Sequence, residues 1–140
     1  MEELRDDHHC YVCGQKNEGG LRLAVRFEDG VARLATRLGK GFQGWEGIIH
    51  GGFVSMLLDE AMAYAVGRTI GPALTVRLAV TFKSALKVDE EFEVTGRLLE
   101  RRSRAGVAEA EMRSAADGRL IATGRSEFIL RKGTWPKKNS

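Results

Sequence analysis

Alternating apolar and polar positions predict a β-hairpin early in the chain. Between Leu21 and Phe27 an apolar side chain occupies every second position, and the alternation resumes after an Asp29-Gly30 pair. Successive side chains of a strand point to opposite faces of the sheet, and Asp-Gly favours the tight turns that join hairpin strands. We therefore expect two antiparallel strands within residues 21–38.

The next regular element is predicted to be a helix over residues 53–66. Its sequence, FVSMLLDEAMAYAV, consists mostly of good helix formers, and no Gly or Pro interrupts it before Gly67. It is apolar nearly all round, and its polar groups are confined to Ser55, Asp59, Glu60 and Tyr64. A helix without a wide polar face is normally buried on most sides. A sheet must therefore wrap it, with or without the help of a partner chain.

Four more strands are predicted after the helix, over residues 74–83, 91–100, 107–116 and 119–131. The first alternates most regularly, which puts Thr75 on its polar face, away from the helix. The segments RRSRAG and Asp117-Gly118 supply the following turns. The order is thus a hairpin, one long helix and a four-strand meander. An antiparallel sheet that wraps one helix is an α+β architecture.

Composition and charge argue against a membrane protein and against a nucleic-acid-binding protein. The chain has 140 residues, 43% of them hydrophobic and 29% charged, which suits one globular domain with a single core. No apolar run reaches the roughly 18–20 residues of a membrane span, and the polar start MEELRDDHHC predicts no signal peptide. The net charge of +3 comes from scattered basic residues without interleaved aromatics. We therefore expect neither a membrane nor a nucleic-acid partner.

The tripeptide His50-Gly51-Gly52 lies where the predicted helix begins. The first N–H groups of a helix lack intrahelical acceptors and lie at its positive end. Because Gly51 and Gly52 carry no side chain, a substrate could approach these N–H groups and place a developing oxyanion there. The tripeptide has a second interpretation, in which it only makes a tight strand-to-helix turn.

Asp59 and Glu60 are consecutive carboxylates in an apolar helix. A carboxylate in such surroundings is costly unless it is paired or used, and partial burial raises its pKa and suits a general base. We favour Asp59 for that function. For Glu60 the sequence favours a solvated helix edge or an ion pair with one of the many arginines.

The spacing of Gly51 and Asp59 predicts a site that two chains share. Eight residues of helix separate them by ~12 Å, whereas one reacting carbon must lie within about 3–3.5 Å of both its oxyanion donor and its attacking group. An antiparallel helix of a second chain would bring its Asp59 to Gly51 of the first. If both groups are catalytic, the protein is at least a homodimer with its site at the interface.

The segment His8-His9-Cys10-x-x-Cys13 holds four side chains of the metal-ligating type. A single Cys-x-x-Cys with adjacent histidines is weak evidence for zinc, which usually draws a second ligand pair from elsewhere. Two cysteines without a secretory signal indicate a reducing, cytoplasmic location. We expect a reduced turn with no metal and no redox cofactor, and cysteines that are dispensable for the chemistry.

Three stretches resemble a known family: GWEGIIHGGFVSMLLDEAMAYAV, TVRLAVTFKSAL and the leader CYVCGQKNEGGLRL. They are similar to the hotdog-fold acyl-CoA thioesterases, the phenylacetate-pathway and 4-hydroxybenzoyl-CoA thioesterase superfamily. The likeness covers roughly residues 10–131, and its most specific feature is HGG with an Asp nine residues after the His. It implies a hotdog fold, a long central helix wrapped by an antiparallel sheet. We divide the chain into a leader (1–19), a hotdog thioesterase domain (20–131) and a frayed tail (132–140).

The resemblance also implies a set of catalytic residues. The Gly51 N–H would polarise the thioester carbonyl, and Asp59 of the partner chain would act as general base or nucleophile. His50 would shape the turn and the pocket. Thr75 matches a Ser or Thr of the family that can orient the water.

The chain departs from the family pattern at one position. Some relatives carry an Asn six residues before the HGG histidine, where this chain has Gly44. The neighbouring Gln43 is the candidate replacement for that amide. Gln43, Gly52 and Glu60 form the set of candidate substrate-binding residues.

The implied activity is hydrolysis of an acyl-CoA thioester to the free acid and coenzyme A, by a homodimer or homotetramer without a cofactor. Candidates for the coenzyme A phosphates are Arg77, Lys83, Arg101, Arg102 and Arg104. Two alternatives stay open. One is a hotdog dehydratase or hydratase, whose sites pair a His with a carboxylate at a different spacing. The other is a non-catalytic acyl-CoA binding or sensor domain, which would keep the fold and the pocket.

Overall fold

The computed structural model describes residues 3–134, which form one α-helix and a six-stranded antiparallel sheet. The helix, α1 (Gly51–Thr69), follows a single 3-10 turn at Lys40–Phe42. The strands are β1 (Arg26–Glu28), β2 (Val31–Thr36), β3 (Ala73–Phe82), β4 (Phe92–Arg102), β5 (Ala105–Ser114) and β6 (Leu120–Leu130). The predicted α+β architecture is confirmed. Within the described residues, no helix has both the length and the apolar character needed to cross a membrane.

The predicted hairpin is confirmed, although its first strand is short. β1 pairs with β2, and Asp29 (φ 50°) and Gly30 (φ 77°) form the turn. Positive φ at both central residues is typical of type I′ turns, whose twist matches that of the flanking strands. The N–H groups of Leu21 and Leu23 donate instead to carbonyls of the leader, each at 2.8 Å. The start of the predicted strand therefore runs beside the leader.

Helix α1 is longer than predicted at both ends. It begins at Gly51, because the His50 side chain caps its first turn. It continues through Gly67, which is buried, and ends ahead of the Gly71-Pro72 pair. Gly71 adopts a φ of 126°, and the residue before a proline avoids helical backbone. The helix therefore passes through the buried glycine and ends just before the Gly-Pro pair.

The inner face of the sheet wraps α1 and forms the core with it. The buried cluster joins both elements and includes Leu57, Leu58, Met62, Val94, Met112 and Phe128. Helix and sheet lie close together at Gly96 of β4, where an added Cβ would lie 2.6 Å from the Ala61 carbonyl carbon. Only glycine leaves room for the helix backbone at this point of the sheet.

The order of the strands corrects the predicted four-strand meander. The sheet order is β1-β2-β4-β5-β6-β3. Strands β4, β5 and β6 form a meander, but β3 pairs with β6 at one edge, and β4 pairs with β2 instead. Alternation along a strand defines the two faces of that strand and carries no information about its neighbours. The prediction of the strands was right, and the prediction that β3 lies beside β4 was wrong.

A β-bulge also corrects the predicted orientation of Thr75. The pairing of β3 with β6 changes register between Thr75 and Arg77. Paired residues share a face of the sheet, and Thr75 pairs with Phe128, which is buried on the helix side. Thr75 therefore faces the helix, on the same side as Leu78 and Phe82. An extra residue at a bulge reverses the alternation beyond it, which explains why the regular pattern assigned Thr75 to the wrong face.

The leader packs on the rest of the domain. Val12 belongs to the buried core, and the Leu4 N–H donates to the Lys132 carbonyl at 2.8 Å. Gly133 also forms an isolated bridge with Leu4. The start of the predicted tail, residues 132–134, is thus in contact with the leader. The rest of that tail, residues 135–140, lies outside the described part of the chain.

Candidate active site

The N-terminus of α1 has a single unpaired N–H group in its first turn. His50 is the N-cap, and its Nδ1 accepts a hydrogen bond from the Gly52 N–H at 2.8 Å. The N–H groups of Phe53 and Val54 donate to the His50 carbonyl, at 3.0 and 3.4 Å. Among residues 3–134, no group accepts a hydrogen bond from the Gly51 N–H. Capping therefore leaves Gly51 as the donor that is open to a ligand.

Gly51 lines a cavity of about 650 Å³ between the start of α1 and the end of β3. The walls are mainly apolar, and residues near Gly51 on these walls are Trp45, Ile48, His50, Val54, Phe82 and Lys83. A Cβ added to Gly51 would lie 3.2 Å from the Phe82 ring. The missing side chain at Gly51 thus keeps the approach to its N–H open.

The side chain of Gln43 is hydrogen-bonded within the loop that precedes the helix. The Gln43 side-chain oxygen accepts a hydrogen bond from the Gly47 N–H at 3.0 Å. Gly44 lies against His50, where an added Cβ would be 3.4 Å from the His50 Cα, and Gly44 also lines the cavity. The amide oxygen of Gln43 is therefore engaged within the loop. Only the NH2 group of Gln43 is left for the predicted contact with the carbonyl of the substrate.

Asp59 is held by a hydrogen bond from the edge strand. The Thr75 hydroxyl donates to Oδ1 of Asp59 at 2.9 Å. Burial raises the pKa of the Asp59 carboxyl above its usual value, and the Thr75 hydrogen bond partly opposes this rise. The structure brings together two of the predicted residues, and the pKa of Asp59 moves in the direction expected from the sequence.

Glu60 lies in a different environment from Asp59. Its Oε1 is 3.7 Å from the Sγ of Cys10, and a second cavity of about 360 Å³ adjoins Glu60, Cys10 and Cys13. Burial, with a further contribution from negative charge on Cys10, raises the pKa of Glu60 to about 7. Glu60 is absent from the walls of the Gly51 cavity. The structure thus places this candidate substrate-binding residue against the leader.

The two cysteines of the leader have opposite pKa shifts. A hydrogen bond from the Cys13 thiol, helped by the backbone N–H groups of Val12 and Cys13, lowers the pKa of Cys10 to about 5. The same thiol–thiol contact and burial raise the pKa of Cys13. His9, by contrast, has its Nδ1 2.9 Å from the Asp7 carbonyl oxygen.

Gly51 and Asp59 lie beside opposite ends of strand β3. Gly51 adjoins Phe82 at the end of β3, whereas Asp59 adjoins Thr75 near its start. Helix α1 and strand β3 therefore run in opposite directions. Asp59 is not on the walls of the Gly51 cavity, as the helical rise of about 1.5 Å per residue leads one to expect.

Sequence reasoning missed several residues of this region. Trp45 and Phe82 line the cavity beside Gly51, and their side chains are 84% and 54% exposed. Trp45 lies in a glycine-rich loop next to HGG, and this position in the sequence could have marked it as a residue of the cavity. The contact of Glu60 with Cys10 joins residues 50 positions apart, for which the sequence contains no local signal.

Comparison with known proteins identifies the family. A sequence profile of the thioesterase superfamily matches residues 46–121, which is more than half of the chain. The chain therefore belongs to the thioesterase superfamily, and its architecture is the hotdog fold.

Individual relatives agree with this assignment. The chain is 30% identical over 81 residues to acyl-coenzyme A thioesterase 13 of Mus musculus, a match that covers 56% of this chain and 58% of that protein. A solved thioesterase superfamily protein superposes with a TM-score of 0.80 at 24% identity, over 87% of this chain and 60% of the other. The phenylacetic acid degradation protein of Thermus thermophilus, solved as a single-residue mutant, gives 0.71 at 25% identity, over 77% and 92%. The chain spans 48% to 58% of the curated relatives it matches.

Proposed function

We propose that the chain hydrolyses an acyl-CoA thioester to the free acid and coenzyme A. The observation that carries this proposal is the unpaired Gly51 N–H, which opens into an apolar cavity at the positive end of α1. A thioester carbonyl gains negative charge as it is attacked, and a fixed N–H donor stabilises that charge. The mouse relative is named for the same class of substrate.

The working unit in this proposal is a homodimer formed through β3. Strand β3 is ten residues long and lies at the edge of the sheet, so one side of its backbone has no strand partner within residues 3–134. Large apolar side chains on it are exposed, namely Leu74, Val76, Leu78 and Phe82. A long, apolar, uncovered edge strand favours pairing with another strand, and a second β3 is complementary to it under two-fold symmetry.

A two-fold axis beside the middle of β3 would complete the site. Antiparallel pairing sets the Thr75 end of one strand beside the Phe82 end of the other. Asp59 accompanies Thr75, and Gly51 accompanies Phe82. The partner's Asp59 would then approach the Gly51 cavity, which one chain alone does not supply with a carboxylate.

The reaction then follows from these groups. The Gly51 N–H donates to the thioester carbonyl oxygen while the partner's Asp59 accepts a proton from water. The water oxygen attacks the carbonyl carbon, and the resulting oxyanion is stabilised by the Gly51 N–H. As the oxyanion collapses, the carbon–sulfur bond breaks and coenzyme A leaves as the thiol, taking up the proton. Thr75 holds the Asp59 carboxylate in one orientation by its hydrogen bond.

Lys83 is the candidate contact for the coenzyme A phosphates. It lines the Gly51 cavity, and within the described residues its side chain forms no ion pair. Arg77 and Arg102, by contrast, are already paired with Glu127 and Glu100, at 3.2 and 2.8 Å. A free ammonium group at the mouth of the cavity suits an anionic ligand.

The direct test is a hydrolysis assay over short, long and aromatic acyl-CoA substrates. Release of coenzyme A is followed with a chromogenic thiol reagent, at enzyme concentrations far below substrate. Cys10 is exposed and reacts with the same reagent, so the thiols of the protein are titrated first without substrate. We expect turnover of at least one substrate class and loss of turnover in Asp59→Asn.

Other outcomes would favour the alternatives. A non-catalytic binding domain would bind acyl-CoA in calorimetry without releasing thiol, and a dehydratase would change the acyl chain while leaving the thioester bond intact. Mass spectrometry of the products distinguishes these outcomes. Either one would overturn the proposal of thioester hydrolysis.

A further inference from the structure

A cluster of three metal-type ligands lies outside the Gly51 site. The Sγ atoms of Cys10 and Cys13 and a carboxylate oxygen of Glu60 all lie within 4.8 Å of one another. The cysteines belong to the leader, and Glu60 belongs to α1. The cluster adjoins the 360 Å³ cavity and shares no wall residue with the Gly51 cavity. The proposed hydrolysis makes no use of it.

The turn that carries the cysteines is built closely around Cys10. The Gly14 N–H donates to the Cys10 carbonyl at 2.9 Å, and a Cβ at Gly14 would lie 2.4 Å from the Cys10 nitrogen. Only glycine therefore fits after Cys13. This turn holds the Cys10 sulfur within 4.8 Å of the Cys13 sulfur and of a Glu60 carboxylate oxygen. A tight Cys-x-x-Cys turn that brings both sulfurs to one side of the chain is suited to a thiolate-bound metal ion.

We propose that Cys10, Cys13 and Glu60 bind one zinc ion. With Zn–S of ≈ 2.3 Å and Zn–O of ≈ 2.0–2.2 Å, tetrahedral coordination puts sulfur and oxygen ligands about 3.6 Å apart. The Cys10 sulfur and the Glu60 oxygen are 3.7 Å apart. Two thiolates favour zinc over the hard cations magnesium and calcium. A water molecule from the adjoining cavity would complete the four-coordinate site.

Charge supports the same assignment. The Cys10 sulfur lies 3.7 Å from a carboxylate oxygen of Glu60, and no Lys or Arg within the described residues forms an ion pair with Glu60. A buried carboxylate beside a thiolate is costly without a cation. A divalent ion would supply the missing positive charge and join the leader to the middle of α1.

The two histidines of the leader, which are also of the metal-ligating type, have other partners. The His8 Nδ1 is 3.8 Å from an Asp6 carboxylate oxygen, and the His9 Nδ1 adjoins the Asp7 carbonyl. The third ligand comes instead from Glu60, far along the chain. The zinc would be structural, because it lies apart from the Gly51 cavity and fastens the leader to the helix.

The first experiment measures metal content in protein prepared without a polyhistidine tag. We expect one zinc per chain in the wild type and none in the Cys10→Ser/Cys13→Ser variant. Glu60→Gln should weaken zinc binding by at least the ~10–100-fold that loss of an outer-sphere partner costs. His8→Asn is the matched control, because asparagine tolerates the positive φ of 66° at this position, and it should retain zinc.

A second measurement keeps the test valid if a variant folds poorly. Cobalt(II) added to metal-depleted wild type should give thiolate-to-cobalt charge-transfer absorption and the visible bands of a tetrahedral ion. A strong chelator should lower the melting temperature of the wild type and leave that of the double cysteine variant unchanged. A wild type that binds zinc no more tightly than the double variant would overturn the proposal. An intact protein mass that is two hydrogens lower than the sequence mass would also overturn it, because it would show a Cys10–Cys13 disulfide.

Discussion

Replacing Asp59 by asparagine removes the proposed base while leaving its contacts in place. The Asn side chain is nearly the same size, and its amide oxygen can still accept the hydrogen bond that Thr75 donates at 2.9 Å. The amide cannot accept a proton from water at neutral pH. Loss of a general base typically costs ~10²–10⁴ in rate. This corresponds to about 2.7–5.4 kcal/mol of transition-state stabilisation.

The stability of the same variant should not fall. Because burial raises the pKa of Asp59, the folded state binds the proton more tightly than the unfolded state does. The contribution of Asp59 to stability therefore decreases as pH rises from its unfolded pKa through its raised folded pKa. At pH values above the folded pKa the ionised carboxylate is a cost, which Asn removes. We expect a melting temperature at or above that of the wild type.

The assay compares kcat and kcat/KM of wild type and Asp59→Asn on the best acyl-CoA of the panel. Circular dichroism and light scattering verify that the variant keeps its fold and its oligomeric state. Glu109→Gln is a suitable control, because it makes the same chemical change at an exposed carboxylate paired with Arg97 on the sheet. Turnover near that of the wild type in a folded Asp59→Asn dimer would refute the role of Asp59 as base.

Four further outcomes are expected. Gly51→Ala brings a Cβ to 3.2 Å from the Phe82 ring beside the oxyanion donor, and kcat/KM should fall by up to ~10²-fold in steady-state kinetics. Val76→Asp puts a charge on a side chain that is 61% exposed on β3, and light scattering should change from a dimer to a folded monomer. Gly96→Ala would set a Cβ 2.6 Å from the Ala61 backbone, and urea unfolding should give a loss of about 1–3 kcal/mol. For the wild type, kcat should fall as pH drops through the raised pKa of Asp59, because the base must be ionised; rates that stay flat to pH values below the usual range of Asp, in a protein that remains folded, would contradict this.

Local patterns were sufficient to predict the elements of this fold. The hairpin around Asp29-Gly30 and the apolar helix that follows His50 both depend on residues close in sequence, and both occur in the structure. Alternation also identified each of the later strands. These features follow from backbone geometry within a few residues, which a single sequence contains.

Contacts between distant segments were not predictable in the same way. The pairing of β3 with β6 and the bulge beside Thr75 both depend on the sheet as a whole. A regular apolar alternation contains no sign of the extra residue that turns Thr75 toward Asp59. The contact between Glu60 and Cys10 likewise requires the leader to fold back onto the helix. The resemblance suggested a role for Thr75, whereas the alternation alone put it on the face away from the helix; the structure places its hydroxyl against Asp59.

Asp59 and Glu60 are consecutive carboxylates that the fold places in different surroundings. Consecutive helix positions differ by about 100° around the axis, so the two carboxylates meet different neighbours. Asp59 faces the edge strand, where the Thr75 hydrogen bond favours its ionised form and offsets part of the cost of burial. Glu60 faces the leader, where burial and the negative charge of Cys10 raise its pKa to about 7. In the proposed mechanism Asp59 is therefore the carboxylate that accepts a proton from water. Burial disfavours the ionised form of Glu60, and the side of the helix on which it lies offers cysteine sulfurs rather than arginines.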